Sequence, residues 1–166
     1  FRSFTANKKL DEPGDFEGLV FRTMPTAAVK GLVSELGGST TTMGMGELYE
    51  ALKTGAVDGH ENPPWVVDAF SIQEVNDWYT LDKHSLGVMV WQVNNEWFEG
   101  LPPIYQKIIE RGGEIYTQRA ANVYRASDKL ALERIKESQM QIYEPTPEEK
   151  LALREAVTGP VSKNVR

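Results

Sequence analysis

Two arginines in the first part of the chain have the right chemistry to bind an acid. Arg2 lies in a short β-type segment, and Arg22 ends the apolar run 19–21. Open α/β sheets bind ligands at the carboxyl ends of their parallel strands. A guanidinium there can donate two parallel hydrogen bonds to a carboxylate, and its charge is permanent. Spacing alone leaves Arg22 a candidate, because a solvated surface charge is the alternative.

Residues 58–64 form a second candidate, the polar run Asp-Gly-His-Glu-Asn-Pro-Pro. Its Gly and its two Pro residues predict a turn between two elements. Asn62 would then either contact a ligand or cap the helix that follows, since Asn is a favoured N-cap residue. The residues themselves therefore leave two interpretations open, a ligand site and a polar surface turn.

Known catalytic and metal-binding patterns are missing from the sequence. It contains no nucleophile elbow, no phosphate-binding Gly-rich loop and no dinucleotide fingerprint. His60 and His84 do not have the spacing of paired metal ligands, and a chain without Cys has no thiolate zinc site or thiol nucleophile. We therefore predict no metal and no cofactor. An enzyme with His60 or His84 as general base remains the alternative.

Composition excludes two further classes of function. The 166 residues include 24 acidic and 18 basic side chains, for a net charge of −6. Nucleic-acid binding requires clustered Lys and Arg, and no such cluster occurs. No apolar stretch approaches the roughly 20 residues needed to cross a bilayer, so we predict a chain that does not span a membrane.

The candidate residues must be positioned by a series of short elements. Alternation of apolar strands with amphipathic helices predicts an α/β fold with a parallel sheet. In this first part we expect strands at about 1–5, 19–22, 39–43 and 56–57, and helices at 26–36, 46–54 and 64–70.

The second part of the chain is dominated by a helical pattern. Residues 87–93, rich in Val and containing Trp, predict a buried strand. From Pro102 an apolar period of helical type runs for more than thirty residues, which predicts one very long helix or two in series. Gly112 and Gly113 make a bend or break there plausible. A short strand at 141–143 and a helix from Thr146 complete the chain.

Several motifs, in order, resemble the DctP-type periplasmic solute-binding proteins of tripartite ATP-independent periplasmic (TRAP) transporters. They are Gly-Leu-Val-Phe-Arg at 18–22, Leu-Gly-Gly at 36–38, Met-Gly-Met-Gly-Glu-Leu-Tyr-Glu-Ala-Leu at 43–52 and Thr-Gly-Ala-Val-Asp-Gly-His-Glu-Asn-Pro at 54–63. The agreement continues at 73–75, 81–84, 93–94 and 101–102. Order and spacing together make the resemblance specific. After about residue 110 only the helical pattern, and no longer the specific motifs, resembles the family.

The resemblance implies the two-lobed α/β architecture of periplasmic binding proteins. Segments 1–87 and 128–166 would form most of the second lobe. Segment 88–127 would return into the first lobe and include part of a long helix that spans both lobes. Because relatives are longer and begin with a secretion signal and a first lobe, we expect a C-terminal fragment that lacks most of the first lobe.

The resemblance also assigns roles to particular residues. It implies that Arg22 makes the bidentate contact with a ligand carboxylate and that Arg2 is a second arginine facing the acid. Asn62 would be the amide donor to the ligand, with Glu61 in its polar network. Met45 stands where many relatives carry an aromatic residue that lines the pocket, and this difference leaves the shape of the ligand open.

The resemblance also implies a role for His84 and a function for the whole protein. His84 matches a family histidine in a hydrogen-bonded region near the hinge, and a satisfied structural histidine is the alternative. The implied function is a monomeric, non-enzymatic periplasmic receptor that captures a small organic acid and delivers it to the membrane subunits of a TRAP transporter. The alternatives are an enzyme acting on an organic acid, and an inactive fragment that associates with itself through its exposed surface.

Overall fold

A mixed six-stranded sheet with helices on both faces forms the centre of the molecule. The structure is a computed structural model that describes the backbone of residues 1–164 and the side chains of residues 1–158. The last two residues of the predicted second lobe, 165 and 166, lie outside it. The strands are β1 (Arg2–Ala6), β2 (Val20–Arg22), β3 (Ser39–Thr41), β4 (Gly59–Asn62), β5 (Trp78–Ser85) and β6 (Gln141–Tyr143). The α-helices are α1 (Ala27–Glu35), α2 (Met45–Lys53), α3 (Pro64–Ala69), α4 (Asn95–Glu99), α5 (Pro103–Glu137) and α6 (Pro147–Asn164).

The sheet is not purely parallel, and in this respect the sequence prediction was wrong. The strand order is β3-β2-β4-β1-β5-β6, and β1 runs antiparallel to both of its neighbours, β4 and β5. The remaining pairs, β2 with β3, β2 with β4 and β5 with β6, are parallel. Apolar alternation reports which face of a strand is buried but carries no information on direction. The antiparallel placement of β1 could not be read from it.

Apolar side chains from both faces of the sheet bury two separate cores. One core lies between the sheet and helices α2, α3 and the end of α5, where Leu48, Leu52, Tyr79 and Ile135 are almost completely buried. The other lies against α1 and α6 and is built around Phe4, whose ring meets those of Phe16 and Phe21 edge-on, with centroids 5.1 and 5.5 Å away. The strands between the two cores are therefore held rigidly from both sides.

The polar run that suggested a surface turn is instead a buried strand. Strand β4 is Gly59–Asn62, and all four residues are buried. The strand predicted at 56–57 was thus placed too early, because polar side chains in β4 concealed its strand character. Glycine is required at 59, since a β-carbon there would overlap the carbonyl oxygen of Thr5. Asn62 does not cap α3, because the N-cap residue is Pro63, whose side chain makes no cap hydrogen bond.

Residues 86–94 belong to no helix or strand and do not form the buried strand predicted at 87–93. They pair with none of the described strands, and their apolar side chains are exposed. Trp91 is the point of attachment, because its ring packs directly over Gly113 of α5. A strand requires a neighbour for its backbone groups, and the side-chain pattern alone did not show that this neighbour was missing.

Helix α5 is a single helix of 35 residues, without the break that two adjacent glycines made plausible. Of its residues only Gly113, Ala131 and Ile135 are buried. Its first half exposes several large apolar side chains, namely Ile104, Tyr105, Ile108 and Ile115. Within the described part of the chain, no helix is both long and apolar enough to cross a membrane.

Candidate functional site

Strand directions bring most of the predicted site residues to one edge of the sheet. The carboxyl ends of β2, β4 and β5 and the amino end of β1 meet there, because β1 is antiparallel to its neighbours. In the register, Arg22 stands opposite His60, and Arg2 opposite Ser85. This is the edge at which open α/β sheets bind ligands.

Arg22 is buried at this edge with part of its guanidinium unused. Its side chain donates from Nε (3.0 Å) and Nη2 (2.8 Å) to the carbonyl oxygen of Met43. Burial lowers its pKa, although an arginine side chain remains charged in proteins. Neither an ion pair nor a hydrogen bond to its Nη1 occurs among the described side chains. The end of the guanidinium, formed by Nη1 and the second N–H of Nη2, is therefore an open two-donor fork.

Asn62 lies on the adjacent strand, and its backbone and side chain are both held. Its carbonyl oxygen accepts a hydrogen bond of 2.8 Å from the Tyr79 hydroxyl. Its amide nitrogen lies 3.4 Å from Nδ1 of His60 and 3.9 Å from the sulfur of Met45. Asn62, His60 and Met45 thus form one cluster beside Arg22.

Arg2 and Glu61 form a buried ion pair. Arg2 donates from Nε (2.5 Å) and Nη2 (2.6 Å) to the two carboxylate oxygens of Glu61, and Nη2 also reaches the Glu61 carbonyl oxygen at 2.8 Å. Glu61 is completely buried. Burial alone would raise its pKa, but hydrogen bonds from His84 and Arg2 outweigh burial and lower it. Glu61 is therefore a carboxylate, and it occupies most of the donors of Arg2.

His84 extends this charged group to a second carboxylate. Its Nδ1 lies 2.6 Å from Oδ2 of Asp82, and its Nε2 lies 3.5 Å from Oε2 of Glu61. Its ring stacks on Phe4 with centroids 4.3 Å apart. Burial alone would lower its pKa, but Asp82 and Glu61 raise it to about 9. His84 is accordingly an imidazolium at neutral pH.

Sequence reasoning missed three groups that hold the site together. They are the carbonyl oxygen of Met43, the hydroxyl of Tyr79 and the carboxylate of Asp82. Asp82 could have been found, since it precedes His84 by two residues on a strand, and such residues share a face. The partners of Arg22 and Asn62 come from distant parts of the chain and left no local signal.

Two cavities flank the charged group. One of about 510 Å³ is lined by Arg2, Trp65, Tyr124, Arg125 and residues around them, and the other of about 340 Å³ lies beside His84, against α1 and α6. Neither cavity is lined by Arg22 or Asn62. The described residues contain no group of three or more side chains suited to hold a metal ion.

The sequence and the fold of this chain are similar to those of known proteins. Residues 1–165 match the family described as Bacterial extracellular solute-binding protein, family 7. The chain belongs to this family. As a family 7 member it has the α/β fold of TRAP periplasmic solute-binding proteins, and the expectation drawn from the sequence motifs is confirmed.

Particular members of family 7 show how far the likeness extends. The C4-dicarboxylate-binding periplasmic protein DctP of Rhodobacter capsulatus is 32% identical over 160 residues, which cover 95% of this chain and 48% of that protein. The chain spans about half the length of the curated relatives it matches.

Two solved structures of TRAP periplasmic solute-binding proteins are similar to this family 7 chain. One, from Desulfovibrio salexigens with bound orotic acid, has a TM-score of 0.87 and 30% identity over 98% of this chain and 52% of that one. The other, from Sulfitobacter with bound β-D-galacturonate, has a TM-score of 0.86 and 27% identity over 99% and 54%.

Proposed function

We propose that this chain forms the carboxylate-binding part of a periplasmic receptor that captures a small organic acid and delivers it to the membrane subunits of a TRAP transporter. Arg22 anchors the carboxylate. Asn62 donates its amide N–H to the ligand, and Met45 forms a wall of the pocket. Arg2, Glu61 and His84 form a layer of paired charges beside them.

The open fork of Arg22 carries this proposal. The Met43 carbonyl holds one side of the guanidinium, so the side chain is already oriented, and the unused end matches the two oxygens of a carboxylate. Because Arg22 is almost fully buried, its charge has lost most of its water, and binding an anion would restore the missing hydrogen bonds.

The neighbouring residues and the relatives support the same conclusion. One N–H of Asn62 faces only the thioether of Met45, a weak acceptor that a carboxylate or hydroxyl oxygen of a ligand would replace with advantage. The Rhodobacter relative is named for C4-dicarboxylates, and the two solved structures hold orotic acid and galacturonate. All of these ligands carry a carboxylate.

The protonation states of the two histidines argue against the enzymatic alternative. Burial lowers the pKa of His60 to about 3, and nearby carboxylates raise that of His84 to about 9. An efficient general base has a pKa near the working pH, and neither residue does. His60 is moreover completely buried, so a substrate could not reach it.

Residues 88–127, which include the first half of α5, suggest how the receptor would close. We propose that this segment packs against another lobe, with the organic acid between that lobe and the edge of the sheet. Hinge closure would exclude water and strengthen the contact with Arg22. In this arrangement the complete receptor is a monomer.

Calorimetry on the complete protein tests the proposal. The panel contains dicarboxylates, 2-oxo acids, uronates and aromatic carboxylates. Arg22→Gln should weaken binding of the best ligand by roughly 30-fold or more, corresponding to the 2–5 kcal/mol of a lost charged pair. Arg134→Gln removes an exposed arginine that pairs with Asp68 and should leave binding unchanged. Equal affinities for the wild type and the Arg22 variant would remove the proposed anchor.

A further inference from the structure

The cavity of about 340 Å³ lies on the side of the sheet that α1 and α6 cover, and neither Arg22 nor Asn62 lines it. Apolar side chains from the sheet, from the segment before β2 and from both helices form its walls. They include Phe4, Phe16, Leu32, Leu36, Leu153 and Val157. Small-molecule sites have volumes of roughly 300–1,000 Å³ and mostly apolar walls. This cavity therefore has the size and the walls of a site for a small apolar group.

Two of the polar side chains that line the cavity, Thr80 and Asp82, are already hydrogen-bonded. The Thr80 hydroxyl accepts a hydrogen bond of 3.3 Å from the backbone N–H of Leu10. Oδ1 of Asp82 accepts one of 3.2 Å from the backbone N–H of Phe4, and its Oδ2 lies 2.6 Å from Nδ1 of His84. Asp82 and His84 also offset each other's charge. The interior consequently favours an alkyl chain over a polar group.

Three cations line the cavity where it meets solvent. They are Lys83 of β5 and Lys150 and Arg154 of α6, whose side chains are all at least partly exposed. Glu144 lies 2.7 Å from the Lys83 ammonium and 3.5 Å from that of Lys150. The ion pairs among the described side chains include none with Arg154. Three positive charges thus face one carboxylate at the mouth, in a chain whose net charge is −6.

An irregularity in β5 brings Lys83 to this mouth. The register of β1 with β5 shifts between Arg2 and Phe4, and Lys83 has a φ of 56°, in the left-handed region that a lysine rarely adopts. Successive side chains of a regular strand point to opposite faces, whereas here Asp82, Lys83 and His84 all line one cavity. The irregularity therefore adds to the apolar cavity a cation that a regular strand would direct away from it.

From these observations we infer that the cavity is a second ligand site, which binds an aliphatic carboxylate of medium chain length. The alkyl chain lies among the leucines, where it leaves water, and the carboxylate lies between Lys83, Lys150 and Arg154, which donate charged hydrogen bonds to it. A small acid rich in hydroxyl groups would leave those groups without partners against the apolar walls. This site goes beyond the proposed function and does not depend on it.

Calorimetry on the complete protein tests the site with unbranched carboxylates from butanoate to decanoate, each below the concentration at which it forms micelles. The affinity should rise about fourfold with each added CH₂ until the cavity is filled. Decanol, which has the chain without the charge, should bind roughly tenfold more weakly than decanoate. Arg22→Gln should bind decanoate as the wild type does. Absence of binding along the series, or loss of decanoate binding in Arg22→Gln, overturns the inference. Failure of the proposed function would show separately, as wild-type binding of the acid panel in Arg22→Gln.

Variants of the cavity itself complete the test. Val157→Phe fills part of the cavity and should weaken decanoate binding roughly tenfold or more. Lys83→Gln combined with Arg154→Gln should remove most of the preference for decanoate over decanol, whereas Arg134→Gln, an exposed arginine of α5, should retain it. Thermal unfolding establishes that each variant is folded. A folded Val157→Phe with wild-type affinity overturns the inference, and so does an unchanged preference for decanoate in the charge variant.

Discussion

The two histidines of this chain have opposite protonation states at neutral pH because different charged side chains surround them. Both are almost completely buried, and burial by itself disfavours the imidazolium. For His60, burial is the main cause that lowers the pKa to about 3; Glu61 opposes it, and Arg22 and Arg2 lower the pKa further. His84 instead meets Asp82 and Glu61, and its pKa rises to about 9. His60 is therefore a neutral group beside Asn62, and His84 is a permanent cation at neutral pH.

A pH dependence of stability follows for His84. Its pKa in the folded state lies above the value of about 6.5 expected when unfolded, so its contribution is complete below pH 6.5 and is lost as the pH rises through 9. His84→Gln lacks this contribution. The difference in unfolding free energy between wild type and variant should shrink by at most about 3 kcal/mol between pH 6.5 and 10. Urea denaturation at several pH values measures it, and a constant difference would contradict the assignment.

Segment 86–94 and helix α5 are joined by one tight contact. The ring of Trp91 lies so close to Gly113 that a β-carbon there would come within 2.8 Å of it, and the ring also packs at 5.6 Å from that of Tyr116. Packing of Trp91 thus explains why a glycine stands at position 113 within the helix, although other residues have a higher helix propensity. Its neighbour Gly112 has nothing within 4 Å of the corresponding position.

Two alanine substitutions separate helix propensity from this contact. Gly112→Ala should stabilise α5 by about 1 kcal/mol, since only helix propensity changes. Gly113→Ala gains the same propensity but displaces Trp91, so segment 86–94 should detach while the sheet stays folded. Hydrogen exchange and the emission spectrum of Trp91 report the detachment. If both variants behave alike, the ring does not depend on Gly113 for its place.

At the scale of the whole molecule, apolar surface is distributed very unevenly. The sheet buries two cores, whereas segment 86–94 and the first half of α5 expose Leu86, Val88, Met89, Val90 and Trp91, with further apolar side chains along the helix. Contiguous apolar surface of this kind marks an interaction site. It is the surface that we assign to contact with another lobe in the complete protein.

The 166-residue chain by itself should consequently associate at high concentration. Val88→Asp together with Val90→Asp places charge on the exposed segment and should reduce the association. Leu151→Asp, which changes an exposed apolar residue of α6, should have little effect. Light scattering coupled to size-exclusion chromatography measures the mass. A chain that remains monomeric at all concentrations would contradict this assignment of the surface.

The sequence by itself determined the family, the α/β class and most helices, because motif order and apolar periodicity are local properties. It also supplied Arg22 and Asn62 as candidates. Tertiary structure decided which hydrogen-bond donors of those residues remain free for a ligand. The other donors are bound by partners far away in the chain. Glu61 lies 59 residues from Arg2, and Met43 lies 21 residues from Arg22. The direction of β1, the burial of β4 and the unused donors of Arg22 all follow from such pairings, which local patterns do not contain.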